Sequence, residues 1–338
     1  MRIKYFLFHV VSIFLTLLVT IFVCELVLRF WDYRIKDYWH PYVFQTTEPM
    51  VNQPDPVLGW RPKPGRYVIR DVRYGNEVTY TFWQDGSRAT KPVFSPDASK
   101  DRVVFIGCSL TQGWGVSDQE TFAWKLQAKH PSLQFRNLGV VGYGTYQSLL
   151  LLEDYFRRAG DQPKLVIYGF IDNHQYRNVA TLSWLLDLSR QSCRGIVHIP
   201  YCLQGPQGGL QCFPPMTYPR WWGDRQSYLV NFVKDLYLKW SFRNRIAQKA
   251  PVTNTLFVRM RDLCLAHHAK LYVVNLHWHA YEKIYRKLLD QDGIENFNCY
   301  DEGIMNRFDK KTGDGHPNKE VHTLFTECIE AHIGQDIK

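Results

Sequence analysis

Residues 5–28, YFLFHVVSIFLTLLVTIFVCELVL, form an almost unbroken apolar run that only His9 and Glu25 interrupt. About 20 such residues span the hydrocarbon core of a bilayer as a helix. The run exceeds the apolar core of a cleavable signal peptide, and no small-residue cleavage site follows it. Val23, before Cys24, is not the small residue that a lipid-modified cysteine requires. The pattern therefore predicts one uncleaved transmembrane helix within residues 1–30. Arg2 and Lys4 precede it, and Arg29, Arg34 and Lys36 follow, so flanking charge is nearly balanced and does not set the orientation.

Beyond the anchor the pattern changes twice. Residues 31–100 read as a small β-rich lead-in region. PDPVLGWRPKPG (54–65) is turn-rich, and YVIRDVRYGNEVTYTFWQDGSR (67–88) alternates apolar and polar positions, with breaks at Tyr74-Gly75-Asn76 and Asp85-Gly86. That is the signature of short antiparallel strands. From about Arg102 the rhythm becomes strand, loop, helix. RVVFIG, FRNLGV, PKLVIYGF and KLYVVNL are predicted strands. DQETFAWKLQAKH, GTYQSLLLLEDYFRRAG, NTLFVRMRDLCLAHHA and PNKEVHTLFTECIEAHI are predicted helices, the last with Pro317 near its start. Such alternation implies an α/β domain with a parallel sheet covered on both faces, here residues 101–338. Residues 174–250 are too long for a simple crossover. They are expected to form an insertion that lids the sheet's upper edge. In it YLVNFVKDLYLKWSFRNRIAQ is helical, and RGIVHIPYCLQGPQGGLQCFPP is a loop or hairpin.

Composition narrows the class. The 338 residues are 45% hydrophobic and 15% aromatic, which excludes a disordered chain. The net charge of +9 is scattered, without runs, and no RNA- or DNA-binding motif is present. It fits a solvated basic surface or attraction to anionic glycans or lipid headgroups. Cys193, Cys202 and Cys212 share one Gly/Pro-rich segment, and Cys264, Cys299 and Cys328 lie further on. An oxidising compartment would let some of them pair, in a connectivity that sequence cannot specify. No C-x-x-C spacing points to zinc.

Ligands of open parallel sheets bind at the carboxyl ends of the strands, and four stretches fall there. In VVFIGCSLTQGWGV (103–116), Ser109 follows a buried strand, either as a nucleophile or as the cap of a turn. In NLGVVGYGTYQ (137–147), Gly142 and Gly144 permit close backbone approach to a ligand, or serve a tight turn. In YGFIDNHQYRN (168–178), Asp172, Asn173 and His174 follow the third strand, where an asparagine amide can stabilise an oxyanion or cap a helix. In DGHPN (314–318), His316 has the position of a general base, with Asp314 to orient it.

In this order the four blocks resemble the SGNH/GDSL hydrolase superfamily over about residues 103–333, the 174–250 insertion apart. DPVLGWRPKPG and QDGSR look like the segments preceding this domain in membrane-anchored bacterial members. The resemblance implies a flavodoxin-like three-layer α/β/α sandwich and ester hydrolysis or acyl transfer without metal or organic cofactor. It makes Ser109 the nucleophile and His316 the base. The oxyanion hole would combine the backbone N–H groups of Ser109 and Gly142 with the Asn173 side chain. Three departures stand out. Cys108 replaces the usual aspartate before the serine, and could itself be a nucleophile. GFIDNH lacks the usual Gly-x-Asn-Asp spacing, so Asp172 competes with Asn173, and a carboxylate there would repel an oxyanion. Asp314 lies two residues before His316 rather than three, where Gly313 stands.

An anchored, basic, aromatic-rich domain facing the periplasm or exterior suits acyl esters, among them O-acetyl groups of envelope or exported glycans. A lipid ester is the enzymatic alternative, and glycan binding or scaffolding without turnover the non-enzymatic one. Trp114, Trp221 and Trp222 are expected to stack on sugars or to pack a lid. His277 and His279 of LHWHA lie near the crevice.

Overall fold

The computed structural model describes residues 2–31, 51–70, 77–93, 95, 101–159, 162–191, 198–277, 280–305, 307–310, 312 and 315–337. Helix α1 (Arg2–Phe30) carries the apolar run. Its Lys4–Phe30 segment has a mean hydropathy of 2.6 in its most apolar window, none of it buried, and is long enough to cross a membrane.

Two antiparallel hairpins follow, β1 (Asn52–Asp55) with β2 (Gly59–Pro62) and β3 (Gly65–Arg70) with β4 (Glu77–Phe82). The second was expected. The first occupies a stretch that reads as turns alone. Its turn is fixed by Asp55, whose Oδ1 accepts from the N–H groups of Val57 and Leu58 at 2.9 and 2.7 Å.

The domain proper begins with β5 (Arg102–Gly107), the one-turn helix α2 (Ser109–Gln112), α3 (Phe122–Lys129), β6 (Gln134–Asn137), α4 (Thr145–Ala159) and β7 (Leu165–Ile171). The intervening segment holds α5 (Asn173–Asn178), α6 (Leu182–Gln191), the antiparallel pair β8 (Ile199–Gln204) and β9 (Leu210–Met216), and α7 (Tyr228–Phe242). Then come α8 (Arg245–Ala266), β10 (Lys270–His277), α9 (Lys287–Gln291), β11 (Glu295–Asn298), α10 (Glu302–Met305) and α11 (Lys319–Ile333). The sheet has five strands, all parallel, in the order β11-β10-β7-β5-β6. Its fifth strand, β11, is the short, mostly polar ENFN, which leaves no periodicity to read.

Alternation along the strands makes three layers. Val104 and Ile106 of β5 face a core built with α4 and α8 (Leu152, Leu256, Met260). Val103 and Phe105 face the opposite core, built with α3 and α11 (Phe122, Leu126, Phe325, Ile329). This is the α/β/α sandwich that the resemblance implies. A third cluster joins Leu58 and Trp60 of the lead-in region to Val140, Tyr143, Leu185 and Leu238. The intervening segment thus packs beside the loop after β6.

The expected single helix across residues 228–248 is broken between α7 and α8 at Arg243-Asn244. No glycine or proline marks the break. Just after it, Arg245 reaches back to the end of α5, where Nη1 donates to the carbonyls of Val179 and Ala180 at 3.0 and 3.1 Å. Disulfides join Cys202 to Cys212 across the β8–β9 hairpin and Cys299 to Cys328 between the loop after β11 and α11. Cys264 is a free, buried thiol, which burial pushes up to about 12. Cys193 lies outside the described residues.

Candidate active site

Strand β5 is buried at every position and stops at Gly107, whose φ of +150° only glycine adopts without strain. A Cβ there would lie 2.3 Å from Thr111 Oγ1 and 2.8 Å from the Gly169 carbonyl oxygen. The chain therefore turns sharply, and Ser109 becomes the first residue of α2. The Gly113 N–H closes the turn on the Ser109 carbonyl at 2.9 Å. Ser109 is 4% exposed, and its Oγ lies 3.0 Å from His316 Nε2, within hydrogen-bond reach for transfer of the serine proton.

His316 sits half-buried in the loop before α11. Its carbonyl accepts from Thr312 N at 2.7 Å and Thr312 Oγ1 at 3.2 Å. Asn318 caps α11, its Oδ1 accepting from Glu320 and Val321 N–H, while its own N–H donates to the Lys310 carbonyl at 2.9 Å. Thr312 also packs against Gly115, so the histidine and serine loops touch. Asp314 and Gly313 lie outside the described residues.

The three oxyanion candidates stand just past the ends of three neighbouring strands, with β5 central, β6 on one side and β7 on the other. The loop after β6 is bound tightly to α2. Asn137 Nδ2 donates to the Thr111 carbonyl at 2.9 Å, Val140 N to the Gly107 carbonyl at 3.0 Å, and Val141 N to Gln112 Oε1 at 3.2 Å. Gly142 follows with a φ of +82°, and a Cβ on it would lie 2.9 Å from the Trp60 ring and 3.8 Å from that of Trp184. Trp60 is itself held by Nε1 donating to the Val141 carbonyl at 2.9 Å. Among the described residues neither the Ser109 nor the Gly142 N–H finds a backbone acceptor. Asn173 opens α5 directly after β7 and is exposed, with Asp172 half-buried before it.

The next residue of that block points elsewhere. His174 is fully buried, its Nδ1 is 2.5 Å from the Tyr168 hydroxyl, and burial holds its pKa well below the usual histidine range. Cys108 is fully buried beside the serine, and it acts electrostatically on the buried Arg177 guanidinium. Arg177 also donates to the Tyr143 carbonyl at 2.8 Å and lies 4.5 Å over the Trp184 ring. Burial lowers its pKa, opposed chiefly by Cys108.

The residue least visible in the sequence is Arg88, the last of QDGSR. It is fully buried behind the serine loop, with its guanidinium stacked 4.3 Å over Tyr80. Nε donates to Asp118 Oδ1 at 3.0 Å, Nη1 to the carbonyls of Gln112 and Gly113 at 2.9 and 2.5 Å, and Nη2 to those of Val116 and Thr79 at 2.6 and 3.2 Å. Its backbone N–H donates to the Asn137 carbonyl at 2.7 Å, which ties the lead-in region to the sheet. The only sequence signal for it is the QDGSR segment itself.

The predicted aromatic and histidine positions divide. Trp114 packs on Tyr80 at 5.3 Å, beside the serine loop, whereas Trp222 is 98% exposed and Trp221 rests on Tyr237 at 5.5 Å. His277 meets the Tyr300 ring at 5.5 Å, and His279 lies outside the described residues.

No protein-family model and no curated protein matches the sequence. Solved structures do resemble it in fold. TesA is similar at a TM-score of 0.42 and 12% identity, over 70% of this chain and 99% of its own. A member of the lipolytic protein G-D-S-L family from Veillonella parvula is similar at 0.40 and 10%, over 69% and 97%. A carbohydrate esterase is similar at 0.41 and 14%, over 72% and 68%.

Proposed function

We propose that this chain is a membrane-anchored serine ester hydrolase of the SGNH/GDSL kind, acting on acyl esters outside the cytoplasm. The observation that carries the reading is the 3.0 Å approach of His316 Nε2 to Ser109 Oγ, made by residues 207 positions apart. Ser109 Oγ attacks the acyl carbonyl carbon as its proton passes to His316 Nε2. The backbone N–H groups of Ser109 and Gly142 and the Asn173 amide stabilise the resulting oxyanion. Collapse breaks the ester C–O bond, and His316 returns the proton to the leaving alkoxide. A water, deprotonated by His316, then attacks the acyl-serine carbonyl carbon; the acyl C–Oγ bond breaks, His316 returns the proton to Ser109 Oγ, and the acid leaves. A sugar hydroxyl in place of water makes the same site an O-acyltransferase. By the family resemblance, Asp314, which lies outside the described residues, is assigned to orient the imidazole.

The disulfides support an oxidising, extracytoplasmic compartment, and α1 supports a single membrane span. The anchored, basic and aromatic-rich character of the chain favours O-acetyl groups of envelope or exported glycans as the substrate class. The test is labelling of the folded, detergent-solubilised chain with a fluorophosphonate probe. Wild type is expected to label and to hydrolyse p-nitrophenyl acetate, and Ser109→Ala to do neither. A folded wild-type chain that does not label overturns the serine-hydrolase reading and leaves glycan binding without turnover. Hydrolysis that survives in Ser109→Ala overturns the assignment of the nucleophile. Addition of an oligosaccharide acceptor separates transfer from hydrolysis by the acylated product.

A further inference from the structure

Helix α7 is built inside out. Its buried positions are Asn231, Lys234, Asp235 and Leu238, whereas Val233, Leu236, Tyr237 and Trp240 are 45, 51, 50 and 61% exposed. Both sets follow the i, i+3, i+4, i+7 spacing of a helix face. A largely polar stripe therefore faces the protein and a continuous apolar stripe faces outward. The inward stripe is specifically satisfied. Lys234 Nζ lies 2.6 Å from Asp224 Oδ2, and Asn231 Nδ2 donates to the Asp224 carbonyl at 2.8 Å. Burying a charge pair gives little net stability, so this orientation is not explained by the protein's own core. Trp222, shortly before α7, and Ile246, at the start of α8, are exposed as well, at 98 and 58%. Exposed Arg220, Arg225, Lys239 and Arg243 lie near it in sequence, and the Arg243 guanidinium sits 4.6 Å over the Trp240 ring.

The membrane-spanning helix fixes where this stripe lies. The Glu25 carboxylate of α1 accepts from Ser227 Oγ at 2.8 Å, Tyr228 N at 3.0 Å and Leu229 N at 2.9 Å, and so satisfies the first N–H groups of α7. Arg29 of α1 lies 4.9 Å over the Tyr228 ring. The apolar stripe thus starts beside the last turns of the anchor, where the anchor leaves the hydrocarbon.

We propose that the exposed face of α7, with Trp222 and Ile246, rests in the headgroup–acyl boundary of the same bilayer that α1 spans. The inference depends on the anchor reading above. The occupant is lipid because the face is continuous with a membrane-spanning helix and combines Trp and Tyr with nearby basic residues, the composition of interfacial helices. Leu238, on the opposite face of α7, shares a packing cluster with Trp60 and Tyr143 beside the candidate site. The site is therefore held at a fixed height over the membrane rather than on a loose tether.

The full chain, in a Cys24→Ser/Cys193→Ser background, is reconstituted into phosphatidylcholine–phosphatidylglycerol vesicles. An environment-sensitive fluorophore is placed on Leu236→Cys, on Tyr237→Cys as a second position of the stripe, and on Glu327→Cys, an exposed position of α11, as control. The stripe labels are expected to be quenched several-fold more by nitroxide lipids than the control, and several-fold less by aqueous iodide. Labels at Leu236 and Tyr237 that respond like the control overturn the proposal. So does disulfide cross-linking between two chains at Leu236→Cys without lipid quenching, which makes a second copy the occupant. Alkaline carbonate extraction of the same vesicles tests the anchor separately. Release of the chain sinks the anchor reading, whereas a retained chain with water-exposed labels sinks only the α7 face.

Discussion

Replacing Arg88 with alanine tests whether the lead-in region is part of the catalytic architecture. The side chain makes five hydrogen bonds, four of them to main-chain carbonyls and three of those within residues 112–116 that follow the serine. Its ion-pair partner Asp118 is also buried and accepts from Thr81 N at 3.0 Å. Truncation leaves a buried carboxylate with its countercharge gone, which costs about 3–5 kcal/mol. The abandoned carbonyls add to that, at about 1–3 kcal/mol each where water does not reach them. The lower figure alone is a large share of the ~5–15 kcal/mol stability of a typical domain. With a denaturant slope of about 3 kcal/mol/M, the urea midpoint is expected to fall by roughly 1–1.7 M. Under native conditions the serine loop is expected to loosen, and a displacement of ~1 Å can cost about 100-fold in turnover. Urea titration by tryptophan fluorescence, alongside p-nitrophenyl acetate hydrolysis, reads both effects in the detergent-solubilised chain. Arg88→Lys keeps the charge but not the planar fork, and is expected to fall between the two. A wild-type midpoint together with wild-type turnover in Arg88→Ala would refute the argument and leave Asn137 and Gln112 as sufficient supports.

Gly142→Ala forces a Cβ to within 2.9 Å of the Trp60 ring at a φ of +82°. It is expected to lower kcat by about 10²–10³, as loss of one oxyanion donor does, with a smaller effect on KM in steady-state kinetics. His322 is fully buried and neutral, with its pKa lowered to about 3 chiefly by burial. Its folded pKa lies below its unfolded value near 6.5, so its contribution is complete above pH 6.5 and is lost as pH falls toward 3. The loss reaches about 5 kcal/mol. Because Nδ1 accepts from Phe122 N at 3.4 Å, His322→Asn keeps an acceptor without a titrating group, and is expected to flatten the acid limb of a stability-versus-pH curve. Reduction of Cys299–Cys328, a separation of 29 residues, is expected to cost about 3–4 kcal/mol and to lower Tm in a scan with and without reductant.

Legibility followed the range of the interaction. Four core strands were readable because each is a run of buried side chains bounded by turns, whereas ENFN was too short and too polar to register. Ser109 and His316 were readable because each stands where a strand or loop meets a helix. The IDNH block was readable only in outline. Its His174 belongs to the core with Tyr168, and nothing local distinguishes it from a residue that faces the crevice. Apart from its place in QDGSR, Arg88 gives no local sign of its role, since one arginine after a turn is ordinarily solvated.

The amino-acid sequence by itself determined the apolar span, the strand–helix rhythm and the order of the four blocks. These depend on periodicity and on turn chemistry within a few residues. Tertiary structure alone decided that a serine and a histidine 207 residues apart share a hydrogen bond, and that Arg88 secures the loop between them and the lead-in region. It also decided that α7 turns its polar stripe inward. A helix's own pattern records two faces, but which of them meets protein depends on partners such as Asp224 and Glu25, distant in sequence or on another helix.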